Sequence, residues 1–393
     1  MTRRTLFSFL LLATFLQAGA YGLTFLLPRL FAGFGADEKT VGAMLLIATL
    51  ATLIAVYLSG HLSDRLGRVQ TLSGACLSIA AALALFAMAD GVGVALVAAS
   101  LCLGAGWGLT YALIPVVVTT IVEPEDRVRF FALHSVVVMA GFGLSPVMAS
   151  VMEDAGYQIR DAFLLTAGLC IIAALIFLAL IPRLSSFGAG SSTKSQLSLQ
   201  AIGQILRSPA RLPVVMVCIG ASVFAGMSNF QTVMADERGL DYAGYFLTYT
   251  LTVVLFRLVL ARFKGGRVPY LTIAALQYVM CGSLLLFLVS GDSPALYLLV
   301  AVLFGIGYGV SYPILAAMGA NDAAPELLPQ TLQFFALTYF IGIFGFPLIA
   351  GWVIVELGSS ALLTLCAILA GVEATLALKR GMMQRSNAEA ARA

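Results

Sequence analysis

The chain has 393 residues, of which 61% are hydrophobic and only 10% are charged, and its mean hydropathy is +1.00. A soluble domain carries about 25% charged residues, so this composition excludes an ordinary soluble protein and indicates a chain dissolved largely in lipid. The formal net charge of +3 is too small to indicate a nucleic-acid partner. The six cysteines all lie in apolar stretches without a CxxC pair, so the sequence predicts no disulfide framework, no metal site and no cofactor.

Twelve apolar segments are long enough to cross a membrane, since a helix needs about 20 residues to span a hydrocarbon core of about 30 Å. The predicted segments are 6–30, 41–62, 71–89, 92–122, 128–152 and 161–181, then 212–234, 243–262, 269–290, 295–319, 329–356 and 360–379. The fold class is therefore an all-α membrane protein with 12 transmembrane helices. Its predicted parts are an N-terminal six-helix bundle at 1–182, a cytoplasmic linker at 183–211, and a C-terminal six-helix bundle with a short tail at 212–393.

Basic residues orient these segments. With the N-terminus inside, 18 of the 22 Lys and Arg residues fall on the cytoplasmic side, and only Arg29, Lys39, Arg160 and Arg238 fall outside. The positive-inside rule then places both termini in the cytoplasm.

The two halves of the sequence resemble each other. The stretch LGAGWGLTYALIP at 103–115 recurs as FGIGYGVSYPILA at 304–316, with three glycines and a tyrosine matched at a shift of 201. The stretch FFAL at 130–133 recurs at 334–337 with a shift of 204, which pairs Gly141 with Gly345. Two matches in the same order predict two six-helix bundles in the same orientation, the parallel repeat of a rocker-type transporter.

The loop GHLSDRLGR, between the second and third segments, concentrates charge in a chain that has little elsewhere. It resembles the signature G-x-L-x-D-R-x-G-R of the major facilitator superfamily at Gly60, Asp64, Arg65, Gly67 and Arg68. With twelve segments and the repeat, the resemblance covers essentially the whole chain. It implies two helical bundles around a central cavity that opens alternately to either side of the membrane.

Physical reasoning gives this loop a role as a conformational gate. Gly60 and Gly67 are expected to let two helices and a tight turn approach closely. Asp64 is expected to face the positive end of the eleventh helix, where Pro329 fits the first turn, and such a contact contributes about 0.3–1 kcal/mol. This contact would form only when the cytoplasmic side is closed. The two arginines of the loop are expected to meet acids of the next cytoplasmic loop: Glu123, Glu125 and Asp126.

The fifth segment carries GFGLSPVMAS at 141–150, which resembles the antiporter motif of the same family and contains Gly141 and Pro146. A looser copy in the eleventh segment contains Gly345 and Pro347. The motif favours proton-coupled export, although ordinary packing of small residues explains it nearly as well. Leu101 replaces the arginine of the family's drug–proton exporters, so import of a metabolite or organic anion by a symporter or facilitator stays open.

The resemblance implies that the first, fourth, seventh and tenth helices face the substrate path. Neutral polar groups are costly in lipid unless they face partners or water, so the polar stripes of these helices should point inward. The predicted cavity residues are Gln17 and Tyr21, Trp107 and Tyr111, Ser222, Asn229 and Gln231, and Tyr308 and Tyr312.

Three ionisable residues lie within the segments, each about 10 Å from a cytoplasmic end. They are His134, Arg257 and Glu373, and membrane-embedded ionisable groups are functional candidates. His134 is the leading candidate for proton coupling because imidazole changes charge near neutral pH. Arg257 can instead extend its guanidinium to the interface, and Glu373 lies on a helix that the resemblance places at the periphery.

The sequence argues against an enzyme, since it has two histidines and no HExxH, CxxC or P-loop. The expected protein is a monomeric, multi-pass transporter of the bacterial inner membrane. Its expected partners are a small-molecule substrate, protons and the lipid bilayer.

Overall fold

A computed structural model of the chain describes residues 3–121, 127–184, 198–260 and 269–390, and every regular element in these ranges is a helix. Twelve helices among the described residues are long and apolar enough to cross a membrane, which confirms the predicted fold class. The chain divides into two compact units, residues 1–192 and 193–393.

The described residues of the N-terminal unit form seven α-helices. They are α1 (Arg3–Leu23), α2 (Leu27–Ala32), α3 (Glu38–Leu66), α4 (Arg68–Met88), α5 (Val94–Ile121), α6 (Arg127–Asp154) and α7 (Ile159–Leu184). One 3₁₀ turn, Thr24–Leu26, joins α1 to α2, so the two helices together form the first membrane span. Asp37 caps the α3 helix, because its carboxylate accepts the backbone N–H of Thr40 at 3.0 Å. This hydrogen bond holds the pKa of Asp37 below its usual value.

A single residue, Gly67, separates α3 from α4. Its φ of +93° belongs to the region that favours glycine, and its N–H donates to the Ser63 carbonyl at 3.0 Å. The tight turn expected at Gly67 is therefore present. Gly60 is exposed, and among the described residues no atom lies within 4 Å of where its Cβ would be, so the close helix approach expected there stays a prediction.

In the part of the C-terminal unit that the structure describes there are nine α-helices. They are α8 (Leu199–Arg207), α9 (Arg211–Asn229), α10 (Gln231–Asp236), α11 (Tyr242–Leu260), α12 (Pro269–Val289), α13 (Pro294–Asn321), α14 (Leu328–Phe340), α15 (Phe346–Leu357) and α16 (Ser359–Ala390). A π-helical turn, Ile341–Gly345, joins α14 to α15, and Pro329 lies in the first turn of α14 as expected. The last helix extends beyond the predicted end at 379.

The α8 helix occupies part of the region predicted to be a linker. Ser198 caps it by accepting the N–H of Ala201 at 3.1 Å, and Ile205 is fully buried in the apolar core of the C-terminal unit. This part of the predicted linker thus packs as a short amphipathic helix, and residues 185–197 of the same segment lie outside the described residues.

The same packing pattern recurs in each unit. In the N-terminal unit α5 lies against α3 and α4, and in the C-terminal unit α13 lies against α11 and α12. The repeated glycines make these contacts: a Cβ on Gly106 would lie 2.6 Å from the Ala75 carbonyl oxygen, and one on Gly307 would lie 2.7 Å from the Met280 backbone nitrogen. The glycine repeat of the sequence is therefore a helix-packing device used twice.

Candidate functional site

Three helices of the N-terminal unit meet through an aromatic cluster. Tyr21 of α1 stacks on Trp107 of α5 with ring centroids 5.0 Å apart, and both rings contact Phe142 of α6, at 4.5 and 5.4 Å. Tyr21 and Trp107 are nearly buried, with 2% and 6% of their surface exposed. The structure thus brings together two of the predicted cavity residues.

A buried amide oxygen lies one helical turn from this cluster. Gln17 is 2% exposed, and its Oε1 has no hydrogen-bond partner among the described residues. Tyr111, one turn after Trp107, is half-buried. A buried acceptor without a donor is costly, so Gln17 is suited to receive a hydrogen bond from a bound solute.

The C-terminal unit repeats the aromatic stack at equivalent positions. Phe224 of α9 stacks on Tyr308 of α13 with centroids 4.6 Å apart and ring planes 9° apart. Phe224 lies 203 residues after Tyr21, and Tyr308 lies 201 residues after Trp107. Sequence reasoning misses Phe224, because the repeat shifts of 201 and 204 lead from Tyr21 to Ser222 and Ala225.

The aromatic group of the C-terminal unit extends toward α14. The Tyr308 and Tyr312 ring centroids are 6.4 Å apart, and those of Tyr312 and Tyr339 are 5.2 Å apart. Tyr312 is half-buried, whereas Tyr308 is nearly buried. The predicted residues Tyr308 and Tyr312 therefore belong to one continuous aromatic surface.

The predicted polar residues of α9 differ in their surroundings. Ser222 donates to the carbonyl of Cys218 at 2.8 Å, and the Nδ2 of Asn229 donates to the carbonyl of Ala225 at 3.0 Å. The Oδ1 of Asn229 is buried and has no partner among the described residues.

Gln231 is expected beside Ser222 and Asn229 of α9, but the structure places it on a separate helix. It begins the separate helix α10, is completely buried, and donates from Nε2 to the hydroxyl of Tyr297 at 2.7 Å. This hydrogen bond attaches α10 to α13.

The antiporter-like motif lies at the contact between α1 and α6. A Cβ on Gly141 would lie 2.7 Å from the Cβ of Ala18 and 3.0 Å from the carbonyl oxygen of Phe15, so glycine allows the two helices to touch. Pro146 lies within α6 one turn later. Small-residue packing is thus a sufficient structural reason for Gly141.

The equivalent contact in the C-terminal unit is made by Gly342 rather than Gly345. A Cβ on Gly342 would lie 2.5 Å from the carbonyl oxygen of Cys218 and 2.7 Å from the Cβ of Ala221, whereas one on Gly345 would meet, of the described atoms, only the Ile341 side chain, at 3.9 Å. The pairing of Gly141 with Gly345 is therefore wrong. The π-helical turn Ile341–Gly345 changes the register just before Pro347, which begins α15.

Arg257 has a structural role in the C-terminal unit. Its Nε donates to the carbonyl of Gly309 in α13 at 2.9 Å. The residue four positions later is Pro313, which has no N–H and leaves that carbonyl without its helical donor. Arg257 supplies the missing hydrogen bond.

His134 lies half-buried in α6, and its Nε2 is buried without a hydrogen-bond partner among the described residues. An imidazole nitrogen in this position can accept or donate one further hydrogen bond.

Glu373 is the most enclosed of the three ionisable candidates. It is 0% exposed, and its Oε1 accepts a hydrogen bond from the Nε2 of Gln277 at 2.9 Å. The same Nε2 donates to the hydroxyl of Ser311 at 3.0 Å, and that hydroxyl donates to the carbonyl of Tyr308 at 3.1 Å. Sequence reasoning did not identify Gln277 or Ser311, because nothing in the local pattern shows that three helices bring them to Glu373.

The predicted gate residues lie at the turn between α3 and α4. Asp64 and Arg65 are exposed, and Arg68 is half-buried. The acids expected to pair with the arginines, at positions 123, 125 and 126, lie outside the described residues.

A family model described as Major Facilitator Superfamily matches residues 9–347. No curated protein sequence matches the chain. Three similar solved structures share its fold at low sequence identity.

The human organic anion transporter MFSD10 (TETRAN) has 18% identity and a TM-score of 0.69, with 96% of this chain and 100% of that chain covered. The nucleoside transporter NupG has 18% identity and a TM-score of 0.73, with coverages of 96% and 99%. The peptide transporter POT, in complex with sulfate, has 16% identity and a TM-score of 0.74, with coverages of 96% and 94%.

Proposed function

Because the chain belongs to the Major Facilitator Superfamily, and is thus a membrane transporter rather than an enzyme, we propose that it exports a small organic solute in exchange for protons. The proposed location is the bacterial inner membrane, and the proposed working form is a monomer with both termini in the cytoplasm. Substrate and protons are the ligands, and no cofactor is required.

The repeated aromatic stack carries the proposal for the solute. Tyr21 with Trp107 and Phe224 with Tyr308 present a pair of rings on the first and fourth spans of each unit. Flat apolar faces next to unpaired amide oxygens, as at Gln17, suit a neutral, amphipathic or anionic organic molecule. The three similar transporters are named for an organic anion, a nucleoside and a peptide, all of which are small organic solutes.

Proton coupling is assigned to the ionisable groups within the membrane spans. Of the three candidates, Arg257 already donates a hydrogen bond to the Gly309 carbonyl. His134 and Glu373 are therefore the groups suited to bind and release a proton. Both have a buried polar atom without a hydrogen-bond partner among the described residues.

The direction of transport rests on the α6 motif around Gly141 and Pro146, which resembles that of antiporters. The contact of Gly141 with Ala18 gives this motif a packing role that any transporter of the fold could use. Import by a proton symporter or a facilitator is therefore the second candidate function.

The gate at Asp64 is part of the proposal. Neutralising this acid is expected to weaken closure of the cytoplasmic side and to slow transport without preventing solute binding. Asp292, an exposed acid in the turn before α13, provides a matched control.

The proposed function is tested with purified protein in liposomes that contain a pH-sensitive dye. A panel of drugs, sugars, organic anions, nucleosides and short peptides is screened for solute-evoked proton movement with wild type, Asp64→Asn and Asp292→Asn. We expect at least one compound to move protons, at a rate lowered about two- to fivefold by Asp64→Asn, equivalent to about 0.3–1 kcal/mol, and unchanged by Asp292→Asn. If a labelled compound crosses the membrane without any proton signal, the protein is a facilitator and not a proton-coupled exporter.

A further inference from the structure

Glu373 has surroundings that no other acid in the described residues shares. Its side chain is fully buried, and its Oε2 has no hydrogen-bond partner among the described residues. We propose that Glu373, Gln277 and Ser311 form a proton-binding site inside the C-terminal unit, with the Gln277 carboxamide responding to the protonation state of Glu373. The inference deepens the proposed function. The existence of the proton-binding site does not depend on that function, but the role of the site in transport rests on it.

A small cavity adjoins the carboxyl group. Its volume is about 10 Å³, and its lining includes Glu373, Gln277 and Ser311 as well as Tyr308 and Tyr312. A cavity of this size holds about one water molecule, so it can deliver or accept a proton but cannot hold an organic solute. Gly220 of α9 closes one side, since a Cβ there would lie 2.9 Å from the Glu373 Oε2.

Among the described residues, no cation lines the cavity to balance a carboxylate. Its titratable residues are Glu373, Tyr308 and Tyr312. Arg257, on α11, is directed to the Gly309 carbonyl. On α16 itself, Lys379 and Arg380 lie six and seven residues further along the helix, where Arg380 approaches Asp322 at 3.7 Å.

The helices that pack against α16 carry further titratable groups, but none of these groups places a positive charge at the cavity beside Glu373. On α12, Tyr270 donates to Asp322, the Tyr278 hydroxyl pairs with Thr375, and the Cys281 thiol donates to the Ala367 carbonyl. The remaining groups are Arg211 and Cys218 on α9 and Glu356 on α15, none of which lines the cavity. An ionised carboxylate buried without a cation is costly, so the neutral acid is the form that these surroundings favour.

The Gln277 carboxamide can satisfy either form of the acid. In this structure its Nε2 donates to Glu373 and to Ser311, the arrangement that suits a carboxylate. A half-turn of the carboxamide would place its Oε1, which has no partner among the described residues, where it could accept from a protonated Glu373. The Ser311 hydroxyl could then donate to the same oxygen and release the carbonyl of Tyr308.

These hydrogen bonds connect proton binding at Glu373 with the rings of Tyr308 and Phe224, where the solute is proposed to bind. Proton binding at Glu373 turns Gln277, Gln277 redirects Ser311, and Ser311 changes its bond to Tyr308, whose ring stacks on Phe224. Glu373 is therefore the proton-binding group, and Gln277 and Ser311 are positioning residues.

Infrared spectroscopy of the lipid-reconstituted protein tests the site without any solute. The carbonyl stretch of a protonated carboxylic acid is recorded at neutral pH for wild type, Glu373→Gln and the control Glu356→Gln, which changes an exposed glutamate. We expect the band in wild type and in the control and its loss in Glu373→Gln. An identical band in wild type and Glu373→Gln, or no band in either, would overturn the proposal.

A second variant covers the case in which Glu373→Gln does not fold. Gln277→Leu keeps the acid and removes its hydrogen-bond partner, so the carboxylic acid band should shift to higher frequency. An unshifted band would contradict the role of Gln277. Loss of the band on replacing potassium chloride with sodium chloride at constant pH would show a sodium site instead of a proton site.

The spectroscopic result separates this inference from the proposed function. If the band is present but the dye screen shows solute passage without protons, the coupled exporter is wrong and the acid site stands. If protons move with the solute but the band is absent, coupling lies elsewhere, with His134 as the next candidate.

Discussion

The hydrogen bond from Arg257 to the Gly309 carbonyl gives a quantitative prediction about the C-terminal unit. Arg257→Leu removes the Nε donor, 2.9 Å from that carbonyl, and Pro313 offers no N–H in its place. A hydrogen bond from a charged donor contributes about 1.5–3 kcal/mol in soluble proteins, and cross-helix bonds in membranes average about 0.6 kcal/mol. We therefore expect Arg257→Leu to destabilise the protein by about 1–2 kcal/mol, a reduction in Tm of about 2–8 °C.

A double-mutant cycle isolates this bond from the other contacts of Arg257. Pro313→Ala restores a helical N–H to the Gly309 carbonyl, so Arg257→Leu should cost about 1 kcal/mol less in the Pro313→Ala background. Thermal unfolding in detergent measures the four proteins, with Arg207→Leu as a control for loss of an exposed arginine. Equal costs of Arg257→Leu in both backgrounds would refute the argument that Arg257 replaces the N–H missing at Pro313.

Further predictions concern packing and capping, and each is checked by thermal unfolding. Gly104→Ala pushes a methyl group into the α3 backbone and should cost about 1–3 kcal/mol, whereas Gly168→Ala, with no described atom within 4 Å of its Cβ, should cost nothing or stabilise by up to about 1 kcal/mol. Asp37→Ala removes the N-cap of α3 and should cost about 1 kcal/mol. Because the α3 backbone N–H lowers the pKa of Asp37, the wild-type advantage should hold above pH of about 4 and disappear as the pH falls through the folded-state pKa. Tyr270→Phe loses a 2.6 Å hydrogen bond to Asp322 and should cost about 1.5 kcal/mol. Equal stability of Gly104→Ala and Gly168→Ala, a pH-independent Asp37→Ala difference, or an unchanged Tyr270→Phe would contradict the respective argument.

The membrane spans could be predicted from the sequence because lipid imposes a length and a composition on each helix. Hydropathy and charge located all twelve spans, and the matched glycines at 106 and 307 marked the helix contacts that the structure shows. The turn at Gly67 was predictable because a positive φ strongly favours glycine.

Features that depend on register or on distant partners were not predictable in this way. Gly342, and not Gly345, makes the contact equivalent to that of Gly141, because a π-helical turn shifts the register of the eleventh span. The α8 helix lies within the predicted linker, and its nine residues are too few for a strong hydropathy signal.

The polar contacts of Glu373 were likewise not predictable from the sequence. Gln277 lies 96 residues before Glu373 and Ser311 lies 62 residues before it, and only the packing of α12, α13 and α16 brings them together. Each residue alone resembles an isolated polar group in an apolar helix. Their joint function is visible only once the three helices are assembled.

The central claim, proton-coupled export, is tested most directly by accumulation of a labelled solute in proteoliposomes with an imposed pH gradient. A compound from the dye screen is measured with the lumen acidic, with the outside acidic, and with the gradient abolished by an ionophore. Antiport predicts accumulation in the acidic lumen, loss of accumulation with the ionophore, and no accumulation by Glu373→Gln. Accumulation only when the outside is acidic would show symport, and equal distribution under all three conditions would contradict proton coupling altogether.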